Sequence, residues 1–227
     1  MNILAIETTG CAASIALVCP GGIIAEQVIN NKLTHSQVLM SMIENMFASS
    51  KFNKGKIDLI ACSAGPGSFT GLRIGAAAAK GLAFGLNVGI VPVSTLDALA
   101  YNASYGDVTI VPIMDARRNQ VYTAIYDCIN GQIGRRTEYL ACDMDFVIEQ
   151  ALKIGKKAVF LGDGVAVHGE KIAAYKEFSV AHLPHMLQRA SSVGTMALEM
   201  THKALQPRDF APFYVRPSQA EREAGLQ

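Results

Sequence analysis

The order of elements along the chain repeats, and that repeat limits the fold more than any single motif does. "NILAIE" (residues 2–7) is a run of buried-type residues ending in an acid, and "VTIVPIMD" (108–115) has the same form in the second half. The first is followed by "ASIALVC" as a strand, "PGG" as a turn, "IIAEQVI" as a strand, a helix over 34–50 and the buried strand "IDLIACS". The second is followed by the strand "QVYTAIYDC", the hairpin signal "NG", the strand "QIGRRTEYL", a helix over 143–155 and "KAVFLG". Each half then enters a glycine-bearing loop and another helix. The residues themselves match little between halves, so the repeat is architectural. Three meander strands followed by alternating helix and strand build a mixed sheet with helices on its faces. Two copies predict an α/β protein of two tandem mixed-sheet subdomains, at 1–104 and, in reduced form, at 105–190. A C-terminal helix and tail take up 191–227, the helix packing back on the first subdomain. A chain of 227 residues, half of them apolar, can bury such a core.

This duplicated order is that of the actin, hexokinase and Hsp70 superfamily, whose halves are RNase H-like. There, the acid ending each first strand faces a cleft between the halves in which nucleotide phosphates lie. Glu7 and Asp115 hold those positions here. Strand-end acids equally serve as loop caps, and both readings stand at this point.

The stretch "GPGSFTGLRIG" (65–75) begins as phosphate loops do and departs from each by spacing. A Walker A loop needs four residues between its glycines and then Lys-Ser or Lys-Thr; Gly67 and Gly71 enclose three, and Leu72 follows. Gly65, Gly67 and Gly71 are one residue too long for a dinucleotide fingerprint, and Ser68 directly after Gly67 is no nucleophile elbow. What remains is generic: backbone N–H groups at a helix start attract anions. The candidate phosphate set is Glu7, Thr8, Gly65, Gly67, Ser68, Thr70 and Asp115, against a plain strand-to-helix turn capped by Ser68 or Thr70.

The helix after this loop carries Gly71, Gly75, Ala79 and Ala83 four residues apart, a side-chain-poor stripe that admits another backbone. Each glycine costs roughly 1 kcal/mol of helix propensity, which packing must offset. The stripe packs on the chain's own sheet or on a partner. The helix over 36–49 presents Leu39, Met42 and Met46, and methionine-rich faces suit adaptable contacts. Leu39, Met42, Met46, Gly71, Gly75, Ala79 and Ala83 are accordingly the candidate partner interface.

Charged residues make up only 17%, which also suggests a protein partner, and a net charge of +1 supplies no bulk field for nucleic acid. Five cysteines, at 11, 19, 62, 128 and 142, are odd in number and none is two apart from another, so neither a disulfide framework nor a zinc knuckle is expected. "HLPH" (182–185) is a poor metal pair because its proline forbids helical spacing. "MNILAIETT" lacks a basic leader, and the apolar region 74–93 is interrupted by Lys80, Asn87 and Pro92, so the expectation is a cytoplasmic chain with no membrane span.

The blocks "ILAIETTGCAASIALV", "HSQVLMSMIE", "SAGPGSFTGLRIGAAAAKGLAFG", "VPVSTLDALA" and "IMDARRNQVYTAIY" resemble, in order and over most of the chain, the bacterial TsaB (YeaZ) family. The resemblance implies a non-catalytic subunit in the synthesis of threonylcarbamoyladenosine, the base beside the anticodon in tRNAs that read codons beginning with A. It implies a TsaD-type catalytic partner, a TsaE-type ATPase, self-dimers when alone, and tRNA reached through the complex. The catalytic relative's motif resembles Val-Asn-His-Met-Glu-Gly-His, with two metal-holding histidines. Thr95 and Leu99 of "VSTLDAL" stand in their places, and neither replaces an imidazole. No metal and no cofactor of its own are expected, beyond weak ATP or ADP binding within the complex. The competing reading is an ATP-dependent transferase or kinase clasping a nucleotide between the loops at Gly65 and Gly162. A glycoprotease-like peptidase is a minor alternative, since no nucleophile–base set is found.

Overall fold

The computed structural model describes residues 1–31 and 33–216. The first five-stranded sheet is built from β1 (Ile3–Glu7), β2 (Ala13–Cys19), β3 (Gly22–Ile29), β4 (Leu59–Gly65) and β5 (Gly89–Ser94), in the order β3-β2-β1-β4-β5. β1 pairs antiparallel with β2 and parallel with β4, so the meander and the crossover strands meet on it. As the centre of a sheet covered on both faces, β1 has no polar side to show, and all five of its residues are fully buried. Helices α1 (His35–Ser50) and α2 (Phe69–Leu86) cover one face, and α7 (Ala190–Glu199) covers the other, packing Ala190, Val193 and Ala197 on Ile3, Ala5, Ala16 and Val18. α3 (Thr95–Tyr101) leads into the second half.

The second sheet repeats the order as β10-β7-β6-β11-β12, from β6 (Val108–Asp115), β7 (Gln120–Thr123), β10 (Leu140–Asp143), β11 (Ala158–Leu161) and β12 (Phe178–Val180). α4 (Met144–Ile154), α5 (Val165–Ala173) and the short α6 (Leu183–Met186) complete it. The fold is the two-copy, actin/hexokinase/Hsp70-like arrangement. The run "QVYTAIYDC", expected as one strand, is two. β7 pairs with the end of β6, and β8 (Tyr126–Ile129) pairs with its beginning, with a break at buried Ala124 and Ile125. The following strand divides in the same way: β9 (Gln132–Arg135) continues the hairpin with β8, while β10 crosses to β7. The break is tied off by the Thr137 hydroxyl accepting the Ile125 N–H at 2.9 Å.

The interface set is corrected by this packing. Leu39, Met42, Met46, Ala79 and Ala83 lie in the core beneath α1 and α2, each 2% exposed or less. Gly71 and Gly75 are buried against the turn after β1. A Cβ on Gly71 would run into the Thr8 carbonyl oxygen, and one on Gly75 into the Thr8 hydroxyl, both well under the closest distance at which Cβ atoms pack. The stripe therefore answers the chain's own sheet: glycine is required where helix backbone meets hairpin backbone. The outward face of α2 has the same spacing two residues on. Ala77, Gly81 and Gly85 are exposed, with nothing within 4 Å of a Cβ on either glycine, and Phe84 beside them is 64% exposed. On α1, Met40 is the outward methionine, 47% exposed.

From α7 the chain returns to the first sheet. Leu205 bridges Ile90 through two hydrogen bonds of 2.8 and 2.9 Å, Phe210 is buried in the first core, and the Phe213 N–H reaches the Ala64 carbonyl at 2.8 Å. Of the expected C-terminal unit at 191–227, residues 217–227 lie outside the described residues. Among the described residues, no helix is long and apolar enough to cross a membrane.

Candidate functional site

A cavity of about 930 Å³ opens between the two sheets, at the strand ends where both glycine loops converge. Of the seven candidate phosphate residues, Gly67, Ser68, Thr70 and Asp115 line it; Glu7, Thr8 and Gly65 do not. Ser68 is tied down as cap of α2. Its N–H donates to the Thr9 carbonyl at 2.8 Å, and its hydroxyl accepts the Gly71 N–H at 3.3 Å. Gly65 sits at φ +128°, where a side chain would strain the backbone and strike the Phe213 carbonyl. Thr8 is 2% exposed and donates its hydroxyl to the Gly71 carbonyl at 2.8 Å. It clamps helix to hairpin and does not line the cavity.

Glu7 is corrected in the same way. Its carboxylate is fully buried, accepting the Thr9 N–H at 2.6 Å, the Thr9 hydroxyl at 2.5 Å and the Ser63 hydroxyl. Burial holds its carboxyl above the usual carboxylate range, and the three donors only partly oppose that. An acid sealed among its own neighbours is a structural tie between β1, β4 and the β1–β2 turn.

In the second half the buried carboxylate has moved one strand over. Asp115 ends β6 and stays at the cavity wall, where its Oδ1 accepts the Arg117 N–H at 2.8 Å and Oδ2 lies 3.5 Å from the Arg117 guanidinium. Asp163 lies just past β11, the strand that runs parallel to β6 as β4 runs parallel to β1. It accepts the Asp115 N–H at 3.1 Å, and burial, aided by the charge of Asp115, raises its pKa. Gly162 beside it takes φ +108°, its N–H donating to the Met186 carbonyl at 2.7 Å. Cys11 lines the cavity on the other side, its thiol pushed up by burial and by Asp163.

Sequence reasoning missed Asp163, Arg117, Arg118, Tyr214 and Arg216, all of which line the cavity. "DGV" was readable only as a loop start, and nothing local says that the tail crosses between the halves. Arg216 donates to the Gln120 side-chain oxygen at 2.6 Å and to the Ala116 carbonyl. Thr95 and Leu99 are fully buried, Leu99 in the core between α3 and the second sheet. Asp97, on the same helix, accepts the Tyr126 hydroxyl at 2.7 Å and the Tyr139 hydroxyl at 2.8 Å, locking the halves together. Burial, with Asp97 close by, raises the Tyr139 hydroxyl to about 12. Among the described residues, no group of three or more His, Cys, Asp or Glu side chains converges.

A duplicated mixed sheet with an interlobe cavity defines a member of the actin/hexokinase/Hsp70-like class. A family model described as TsaD: tRNA N6-adenosine threonylcarbamoyltransferase matches residues 18–223. The tRNA threonylcarbamoyladenosine biosynthesis protein TsaB of Bacillus subtilis (strain 168) is 32% identical over 97% of this chain and 96% of its own length. The protein of the same description from Escherichia coli (strain K12) is 33% identical over 72% of each chain. A Pseudomonas aeruginosa structure, described as an uncharacterized protein with similarity to peptidase YEAZ, shares the fold. It superposes with a TM-score of 0.81 at 24% identity, over 95% of this chain and 99% of that one. The chain belongs to the TsaB (YeaZ) family, within the wider family that the TsaD model describes.

Proposed function

We propose that this chain is a cytoplasmic, non-catalytic subunit of the machinery that makes threonylcarbamoyladenosine in tRNA, acting by binding a TsaD-type catalytic subunit. The observation that carries the reading is the fate of the sites that a catalytic member of this fold would use. Glu7 is consumed by Ser63 and Thr9, and Thr95 and Leu99 are packed into the interior, where the relative's motif has metal-holding histidines. A scaffold with its strand-end acid sealed keeps its shape and serves by contact. Binding would then bias the partner's cleft toward its active conformation, a shift in population.

The contact surface best suited to this is the outward face of α2, where Ala77, Gly81 and Gly85 leave room for another helix and Phe84 projects beside them, with Met40 of α1 close in sequence to the buried methionines. The same face would make the self-dimer of the isolated chain. A TsaE-type ATPase and tRNA join through the complex, and the chain carries no metal or cofactor of its own, with ATP or ADP binding weakly at most.

Reconstitution tests this: TsaD-type subunit, TsaE-type ATPase, a synthase, threonine, bicarbonate, ATP and tRNA, with and without this chain. Modified tRNA is expected only with it. Equal rates in its absence would refute the scaffold role, and modification by this chain and the synthase alone would make it an enzyme. The competing reading, an ATP-dependent transferase, draws on the interlobe cavity with Ser68, Thr70, Asp115 and Asp163 around it. Submicromolar ATP affinity with turnover by the isolated chain would favour it.

A further inference from the structure

At the mouth of the interlobe cavity, arginines and aromatic rings border one opening. Arg117 and Arg118 sit on the turn between β6 and β7, where three successive residues with a Cβ, Arg117, Arg118 and Asn119, take left-handed φ values of 65°, 55° and 60°. That is a costly conformation for such residues, and it tends to persist where function needs it. The turn holds both arginines outward, and the Arg117 side chain is 87% exposed. Arg216 joins them from the tail. Its hydrogen bonds go to neutral oxygens of Gln120 and Ala116, and its guanidinium lies 5.4 Å from the centre of the Tyr122 ring.

Among the residues lining the same cavity, Phe69 begins α2. The Tyr214 ring lies 4.9 Å from it, and the Arg73 guanidinium stands 3.9 Å over its face. Tyr214 is 40% exposed. The acids, Asp115 and Asp163, lie deeper, and Asp115 is already engaged by Arg117.

We infer that this rim is an RNA-contact surface. The arginines of the 117–118 turn and Arg216 take backbone phosphates, and the Phe69–Tyr214 pair offers a face for an unstacked base. The inference rests on the reading of the chain as a subunit of a tRNA-modifying machinery, and it adds a direct contact. Looped, single-stranded RNA is bound by this pairing of cationic track and aromatic platform, and arginine suits phosphate through its planar fork. A free nucleotide fits less well. Its phosphates would sit in the glycine loop, but the loop is closed on the chain's own backbone, with Ser68 bonded to Thr9 and Gly71 pressed on Thr8. With a net charge of +1 the attraction is confined to the rim.

The test is fluorescence anisotropy of a labelled tRNA transcript that reads codons beginning with A, titrated over a range of salt with the full chain and with its complex with the TsaD-type subunit. Arg117→Glu with Arg118→Glu is expected to lower affinity at least about tenfold. It should also flatten the dependence of log affinity on log salt by about 1.4, at about 0.7 per phosphate contact. Tyr214→Ala is expected to lower affinity and leave the slope unchanged. Lys51→Glu with Lys54→Glu, placed before β4 and so at its other end from the glycine loop, is expected to change neither. If charge reversal disturbs folding, Arg117→Ala serves instead, with about half the slope change.

No RNA binding by the wild type, unchanged affinity and slope in the arginine variants, or an equal loss in the lysine variant overturns the inference. So does a loss seen for ATP alone and not for RNA, which assigns the rim to free nucleotide. In the modification assay the arginine variant is expected to raise KM for tRNA and hold kcat. If the wild-type complex modifies nothing, the functional reading fails, while anisotropy still decides the rim.

Discussion

Alanine at Gly71 and alanine at Gly81 are the same substitution on the same helix, and the structure assigns them opposite signs. At Gly71 the new Cβ falls under 3.0 Å from the Thr8 carbonyl oxygen, a backbone atom in a hairpin that Glu7, Ser63 and Thr9 already fix. Neither side can yield cheaply. Overpacking of this kind costs roughly 1–3 kcal/mol, and an obstruction by backbone belongs at the upper end. Helix propensity returns about 1 kcal/mol, leaving a net loss of about 2 kcal/mol. At Gly81 there is nothing within 4 Å of the added methyl, so only the propensity gain of about 1 kcal/mol remains. The two variants should therefore differ by about 3 kcal/mol. For a chain of this size that is a gap of roughly 6–12 °C in Tm. Urea unfolding monitored by circular dichroism reads the same difference as a shift in midpoint at constant m. If Gly71→Ala is as stable as the wild type, or Gly81→Ala is weakened as much as Gly71→Ala, then α2 is not turned as described and the assignment of its two small-residue faces is wrong.

Gly81→Leu is expected to leave the chain folded and to weaken association with a TsaD-type partner, or with itself, at least about tenfold by sedimentation or size exclusion, because about 1.4 kcal/mol of lost helix contact already amounts to that. Phe210→Ala should cost about 3–5 kcal/mol in urea unfolding, since its ring is fully buried in the first core and anchors the returning tail. Burial raises the Glu7 pKa, so the folded state holds its proton more tightly than the unfolded one, and its contribution is fully present below the usual carboxylate range and lost as pH rises through the raised value. Glu7→Gln should accordingly flatten the decline in unfolding free energy measured as pH rises above the usual carboxylate range; an unchanged profile would show that Glu7 is not held protonated by its site.

Much of the architecture could be read along the chain. β1, β2, β4, β5 and β6 are runs that only a two-sided sheet accepts, and their order with α1 and α2 was enough to place them as a duplicated mixed sheet. Local signals also marked Ser68 or Thr70 as a cap, of which the structure uses Ser68, and the glycine loop as a turn without the spacing of a phosphate loop. The break of one expected strand into β7 and β8 was not legible, because "QVYTAIYDC" is uniformly strand-forming and the kink arises from pairing with different stretches of β6.

What the sequence alone determined is periodicity and residue chemistry. α2 would bear small residues every fourth position, Glu7 and Asp115 would end strands, and positions 95 and 99 would offer no imidazole. Which small-residue stripe faces inward, Gly71 to Ala83 or Ala77 to Gly85, was decided only when the helix met the turn after β1, because the helical repeat carries both and only the Thr8 backbone distinguishes them. Likewise a strand-end acid is free or sealed according to its neighbours in space. Glu7 is closed off by Ser63 from an adjacent strand, whereas Asp115 stays at the cavity wall, its carboxylate held by the Arg117 N–H and guanidinium of its own turn.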